Sequence, residues 1–310
     1  MTESQLSTAE QVKSLWSLGG LTWPEVVRRT WAAMNRNDIM STASELAYNF
    51  VFAIFPALFV LLTTFGLFAK QHAQMQQTLF SYLSQVLPPD AATLITKTMA
   101  QVTQSSGGGK LTFGLVFALW SASQGTAGMM SGLNRSYAIH EGRPYYKTKG
   151  IAIGLTIALA ALAILALVMI LFGGNIAQVL GAKMGLADVT VLAWRVIQWI
   201  LAVCLMIFAF ALVYYYGPDV KEQHWYWITP GSLIGVLLWL ATSFAFRLYL
   251  HFFNSYNKMY GSLGAAMILL FWFWVTGLAF LIGGEINAEI EHAAAVRGHP
   301  EAKEPGEKAA

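Results

Sequence analysis

The chain has 310 residues, of which 56% are apolar and only 11% charged, against roughly 25% charged residues in ordinary soluble domains. With aromatics at 14% and a mean hydropathy of +0.53, it has too little polar surface to coat a water-facing globule, which excludes a soluble enzyme and makes lipid its main solvent. A net charge of +3 is weak ground for nucleic-acid binding, because membrane proteins gather Lys and Arg in cytoplasmic loops anyway.

At the start, Glu3 and Glu10 occupy the place of a basic signal segment and no short apolar run follows, so insertion is expected from internal segments. Residues 1–45 are expected to form a cytoplasmic N-terminal segment. Within it Thr22 and Glu25 have capping-box spacing, and Trp23, Val27, Trp31 and Met34 share one face opposite Arg28, Arg29 and Arg36. That pattern predicts an amphipathic helix lying in the membrane interface.

A helix needs about 20 mostly apolar residues to cross the hydrocarbon layer. Six stretches qualify: Leu46 to Ala69; Leu111 to Asn134, rich in Gly, Ala and Ser; one inside Gly150 to Ala182, with a tilt or break at Gly173-Gly174-Asn175; Val196 to Pro218; Trp225 to Phe246; and Met259 to Gly284. The fold class expected is therefore all-α, a polytopic membrane bundle of six transmembrane helices over residues 46–292. Between the first two spans, Leu79, Leu83, Val86 and Leu87 form one apolar stripe and Leu94, Ile95, Met99 and Val102 another, separated by Pro88-Pro89. These predict an outer amphipathic cap at residues 71–110. Residues 293–310 read as a disordered cytoplasmic tail.

Orientation follows from the basic residues. With the N-terminus in the cytoplasm, that side holds twelve Lys and Arg, including Arg135, Arg143, Lys147 and Lys149 in one short loop, against seven outside. Cys204 is the single cysteine, so no disulfide or Cys-based metal site forms within the chain.

Hydrolytic chemistry finds no footing. There is no HExxH, no GxSxG elbow and no P-loop, and His72, His140, His224, His251, His292 and His299 form no ligand set with Cys or clustered Asp. No catalytic residue, metal or cofactor is expected. In the second span Ser121, Gly125, Gly128 and Gly132 advance by 4, 3 and 4, a small-residue face on which another helix can pack closely, and Gly231 to Gly235 repeats the device in the fifth. A polar alternative has Ser121, Ser123, Gln124 and Asn134 lining a groove. Glu45 and Asn49 are one turn apart at the start of the first span, with Pro56 two turns on, and Arg247 ends the fifth. Together Glu45, Asn49, Ser121, Gln124, Asn134 and Arg247 make the expected substrate path. Glu285, Glu289 and His292 share one face at the inner end of the sixth span, where a solvated acidic face is expected in preference to a metal site or proton relay. Tyr214-Tyr215-Tyr216 and Trp225-Tyr226-Trp227 read as an interfacial belt, and Phe271 to Trp274 as mid-span packing.

Several of these residues form a familiar set: Ala47-Tyr48 and Phe55-Pro56, Leu119-Trp120-Ser121-Ala122-Ser123, Asn134-Arg135, Tyr256-Asn257 before Tyr260-Gly261-Ser262-Leu263-Gly264, and Gly284-Glu285-Ile286-Asn287-Ala288-Glu289. In combination, over residues 40 to 292, the chain resembles the YihY/BrkB family of bacterial inner-membrane proteins, once labelled ribonuclease BN. Asn49 and Arg247 depart from its pattern. The resemblance implies six helices with both termini cytoplasmic and a role in the cell envelope associated with virulence. The function expected is transport or handling of a lipid or other amphipathic envelope substrate, with an assembly protein as the alternative and an intramembrane enzyme third. Expected partners are membrane lipids and envelope proteins, with homo-oligomerisation open and nucleic acid left out.

Overall fold

The computed structural model describes residues 16–69, 108–183, 187–220, 229–252, 262–297 and Gly306. The expected outer cap as far as residue 107, the Trp225-Tyr226-Trp227 cluster, and residues 298–305 and 307–310 of the tail lie outside the described residues; at the start of the expected disordered tail, residues 293–296 are instead the last turn of a helix that buries Ala293 and Ala294. Among these residues every regular element is helical: a 3-10 turn at Leu18–Gly20, then α1 (Trp23–Arg36), α2 (Ile39–Ala69), α3 (Gly108–Ser136), α4 (Tyr145–Lys183), α5 (Ala187–Tyr216), α6 (Pro230–Phe252) and α7 (Ser262–Val296). Four stretches within α4 to α7 are long and apolar enough to cross a membrane: Tyr145–Ile170, Leu192–Tyr216, Pro230–Tyr249 and Ala266–Val296. Their outward positions are apolar as well, with Ile157, Leu165, Val196, Trp199, Leu237, Phe244, Met267 and Phe271 exposed. A face of that size and character belongs in lipid.

The chain divides into two compact units, Met1–Val51 with Gly125–Ala310, and Phe52–Gln124. In the smaller unit Ala53, Ala118, Ala122 and Ser123 are buried, while Phe52, Phe113, Phe117 and Trp120 are exposed. The Ser123 hydroxyl donates to the Trp120 carbonyl at 2.7 Å, so it is used within its own helix.

The core of the larger unit joins Ile39, Ala43 and Leu46 of α2, Met130 and Leu133 of α3, Ala152 and Leu155 of α4, Val213 and Tyr214 of α5, and Phe280 and Leu281 of α7. Tyr214 corrects the sequence reading. It is buried, and its hydroxyl donates to the Phe280 carbonyl at 2.6 Å, because a phenol inside a bundle must find an acceptor. Tyr216 is half-exposed, as the belt requires. Farther along α7, Phe273 packs on Phe50 with ring centres 5.7 Å apart and Trp272 packs beside Trp239 at 6.3 Å.

Three places define the helices more closely than the uncharged runs do. Helix α2 begins at Ile39 rather than Leu46, which places Glu45 inside a helix. Helix α4 runs unbroken through Gly173-Gly174, where the Trp194 indole fills the space that a Cβ on Gly173 would take. Helix α7 continues past Gly284 to Val296, because its polar last turns are covered by other parts of the chain and stay in the protein interior.

Helix α1 starts as the capping box requires, with Glu25 accepting from the Thr22 amide and hydroxyl, both at 2.8 Å. It turns Trp23, Val27 and Trp31 outward and buries Val26, Thr30 and Ala33. Met34, read from the sequence as sharing the face of Trp23, Val27 and Trp31, instead packs against the core.

The ends of α1, α3, α5 and α7 and the starts of α2, α4 and α6 meet at one end of the larger unit, here called the common end. Two short loops are locked together there. Arg143 donates to both carboxylate oxygens of Glu141 at 2.8 and 2.7 Å and to the Gly217 carbonyl at 2.8 Å, and it lies 3.5 Å from Asp219. Asp219 in turn accepts from the Gly142 amide at 2.8 Å. Buried Asn134 joins both loops, donating to Glu141 at 3.0 Å and accepting from the Asp219 amide at 2.7 Å.

Two expectations follow from this packing. A Cβ on Gly231 would run into the Gly283 carbonyl and the Asn287 amide, whereas one on Gly154 would enter open space. Gly231→Ala should therefore lower the folded yield in mild detergent severalfold and Gly154→Ala should not; equal yields would refute close packing of α6 on α7. The second concerns acid. Burial pushes the Glu141 carboxyl up, but hydrogen bonds and charge from Arg143, with the Asn134 amide, outweigh it and hold the group below its usual range. A depressed carboxyl stabilises the fold above its unfolded titration range and loses that contribution as pH falls through its folded one. The melting temperature of the unmodified protein should exceed that of Glu141→Gln near neutrality, and the gap should close as pH drops below about 4. A gap that persists in acid would assign the difference to another cause.

Candidate functional site

Polar side chains concentrate at the common end. Glu285, Glu289 and His292 do share one face of α7, but all three are buried, which corrects the solvated acidic face expected from sequence. The reason is the corner between α1 and α2. Arg36, the last residue of α1, donates to Glu289 at 2.9 Å, and the next residue, Asn37, donates to Glu285 at 2.9 Å. A carboxylate covered in this way needs such partners, since removing it from water unpaired costs several kcal/mol.

The edge of the Tyr137 ring meets His292 with centres 6.2 Å apart. Burial, and then the Glu291 carboxylate bonded to it, hold the Tyr137 phenol well above its usual range, so it stays protonated and donates. The second carboxylate oxygen of Glu285 and both ring nitrogens of His292 have no hydrogen-bond partner among the described residues. No group of three or more His, Cys, Asp or Glu is placed to hold a metal among those residues.

On the other side of the corner, Arg135 near the end of α3 donates to Glu45 at 2.8 Å and to the Thr42 hydroxyl at 3.0 Å, tying α3 to α2. Next to these groups lies a cleft of about 590 Å³. Its walls are the Arg36-Asn37-Asp38 corner, one face of α3 with Met130, Ser131, Asn134 and Arg135, the loop from Ala138 to Glu141, and Thr148 of α4. The positions 127, 130, 131, 134 and 135 follow helical spacing, so a single stripe of α3 supplies the apolar floor and part of the polar rim.

Among the expected path residues, Asn134 lines this cleft, and Glu45 is bonded to Arg135, which also lines it. Asn49 packs against Gly128, whose added Cβ would lie 2.7 Å from the Asn49 amide nitrogen. Gly132 faces Leu281 and Thr42, and Gly235 faces Tyr214 and Phe210. Gly125 is buried at the start of the α3 part of the larger unit. Ser121, half-buried, and Gln124, exposed, belong to the smaller unit. Arg247 is exposed on α6, roughly 25 Å along the helix from its start, so it does not join the groups at the common end.

Arg36, Asn37, Tyr137, Glu141, Arg143 and Asp219 were not in the expected site. The signal was present in the charge census: a chain with so few charges places acidic and basic residues together in its short loops, where Arg143 pairs with Glu141 and lies beside Asp219.

No solved structure matches the chain. The ribonuclease-like protein YfkH of Bacillus subtilis is 30% identical over 248 residues, covering 80% of this chain and 88% of that protein. A UPF0761 membrane protein of Rhodospirillum centenum is 24% identical over 269 residues, 86% of this chain, which spans only 57% of the length of that relative. A UPF0761 membrane protein of Vibrio cholerae is 32% identical over 96 residues, 31% of each chain. The family described as Virulence factor BrkB matches residues 30–307. With its long apolar helices, lipid-facing surface and that match over most of its length, the chain is an integral membrane protein that belongs to the BrkB family.

Proposed function

We propose that this is a multi-pass protein of the bacterial inner membrane with six crossings and both termini cytoplasmic, and that it moves or handles a lipid or another amphipathic envelope substrate. Helices α2 and α3 supply the first two crossings, since 31 and 29 helical residues reach about 45 Å. The common end gathers Arg36, Arg135, Arg143, Lys147, Lys149 and Arg297, which by the bias of positive charge favours the cytoplasmic side.

The observation that carries the handling role is the cleft itself. It joins an apolar floor to a charged rim at the end of a bundle whose flanks are lipid-facing, the chemistry that an amphipathic molecule presents in mirror image. Glu45, Asn49 and Asn134, all in the larger unit, are offered as the path from this end. A second reading, an assembly protein without transport, draws on the saturation of Glu45 and Asn134 by partners within the chain. A non-enzymatic role fits both, because the charged groups here form Arg–carboxylate pairs rather than a nucleophile beside a base.

Topology is checked with reporter fusions: those after residue 40 and after residue 295 should report cytoplasm, and those near Gly108 the outside. A C-terminus on the outside would remove one crossing. The handling role is checked with Glu45→Gln, which keeps size and hydrogen bonding but removes charge. The Glu45–Arg135 pair is half-exposed on both sides, a setting where ion pairs contribute about 0–1 kcal/mol, so abundance should hold while the movement of labelled lipid in proteoliposomes falls. Unchanged movement removes Glu45 from the mechanism, and an unmodified protein that moves no lipid sinks the reading.

A further inference from the structure

We propose that the cleft at the common end binds the phosphate of an organophosphate, with a phospholipid headgroup as the source that its surroundings favour. The inference deepens the lipid-handling reading and rests on it for the source of the ligand, although the binding it describes is measured without transport.

The two guanidinium groups of the lining carry it. Arg36 and Arg135 are each held by a carboxylate, Glu289 at 2.9 Å and Glu45 at 2.8 Å, and neither carboxylate lines the cleft. A guanidinium has five N–H donors. Arg36 spends one on Glu289, and Arg135 spends two, on Glu45 and Thr42, so each keeps donors while its orientation is fixed. Oriented guanidinium forks are well suited to the tetrahedral oxygens of a phosphate. The Arg36 side chain is 59% exposed and that of Arg135 46%, so both are open to a ligand. The imidazole of His140 also belongs to the lining.

The lining also holds two carboxylates, with different roles. Glu141 is taken up by Arg143 and Asn134. Asp38 is exposed, with its backbone in the left-handed region at φ +48, and lines the cleft at the same corner as Arg36. A rim that offers guanidinium groups and one such carboxylate suits a zwitterion, a phosphate with an amine a few bonds away. The floor of Ala127, Met130 and Ile139 is apolar and suits the glycerol and first methylenes. Depth points the same way. Helix α1 turns Trp23, Val27 and Trp31 outward, aromatic residues of this kind settle at headgroup level, and Arg36 ends that same helix.

The test uses the full chain purified in an uncharged maltoside detergent, with bound ligand counted by native mass spectrometry. Three probes separate the chemistry: a phosphatidylethanolamine, the diacylglycerol with the same acyl chains and no phosphate, and soluble phosphoethanolamine. The phospholipid should bind in a saturable way and the diacylglycerol should not. Arg36→Gln and Arg135→Gln should each weaken binding about tenfold, the loss of one charge-assisted hydrogen bond. Ser131→Trp, which fills the cleft and leaves both arginines in place, should abolish it, and this variant decides the matter if the arginine variants do not fold. Equal affinity for phosphoethanolamine would support the phosphate site and reassign its source to a soluble metabolite. Equal binding of diacylglycerol, or phospholipid binding that survives Ser131→Trp, would overturn the proposal. Binding in the cleft by a protein that moves no lipid would sink the transport reading alone, and lipid movement undiminished by Ser131→Trp would sink this inference alone.

Discussion

Two carboxylates buried on the last turns of α7 set the terms for the common end. Glu285 and Glu289 lie within the protein, where an unpaired charge is among the costliest groups a fold can hold. Their partners, Asn37 and Arg36, are adjacent in sequence and sit at a corner that the chain turns through Asp38 in the left-handed region, a conformation that Asp tolerates better than most residues. Immediately after the corner comes Ile39, fully buried, which roots α2 in the core. The same few residues therefore pair Glu289 with a guanidinium and give Glu285 a hydrogen bond, end α1, begin α2 and put the Arg36 guanidinium at the mouth of the cleft.

Away from that corner the helices are joined by the means that remain when the solvent is lipid. Lipid tails are as apolar as leucine, so burial of side chains gives little net drive for helices to associate. Close backbone approach and hydrogen bonds between helices take its place. Gly231 of α6 lies on Gly283 of α7, with Asn287 accepting from the Gly231 amide at 2.9 Å and donating to Thr229 at 3.0 Å. Tyr214 ties α5 to α7, and Thr126 of α3 donates to the Ala152 carbonyl of α4 at 2.8 Å. Each of these bonds uses a short polar side chain or an aromatic hydroxyl that satisfies a group with no water to turn to.

These two kinds of contact explain what could be read from the sequence. Uncharged runs of sufficient length locate membrane helices because the bilayer imposes a length on them, and α4 to α7 all contain such runs. Small-residue spacing places Gly128, Gly132, Gly231 and Gly235 on definite faces because helical periodicity is local. Burial of Glu285, Glu289 and His292 was not legible. It depends on Arg36 and Asn37, about 250 positions away, and no local pattern in α7 records that a distant corner will cover it. Tyr214 was misplaced for the same reason: a tyrosine near the end of a span has the composition of an interfacial belt, and only the Phe280 carbonyl opposite it reveals a core position. Asn134 was read as polar lining, while its link between two loops required Asp219 and Glu141 to be brought together in space.

The pairing at the common end also limits how tightly the cleft could hold an anion. A guanidinium already neutralised by a carboxylate attracts phosphate less than a free one, since the two charges partly cancel at the distance of the ligand. Had Arg36 and Arg135 been unpaired, the attraction would be stronger, and an anion once bound would leave slowly. With Glu289 and Glu45 behind them, the arginines keep geometry and donors while losing much of their net field. A site that must admit and then release an abundant headgroup needs affinity sufficient for entry and weak enough for exit. A pair of oriented, half-neutralised arginines over an apolar floor meets that requirement, whereas a catalytic or storage site would gain from the opposite choice.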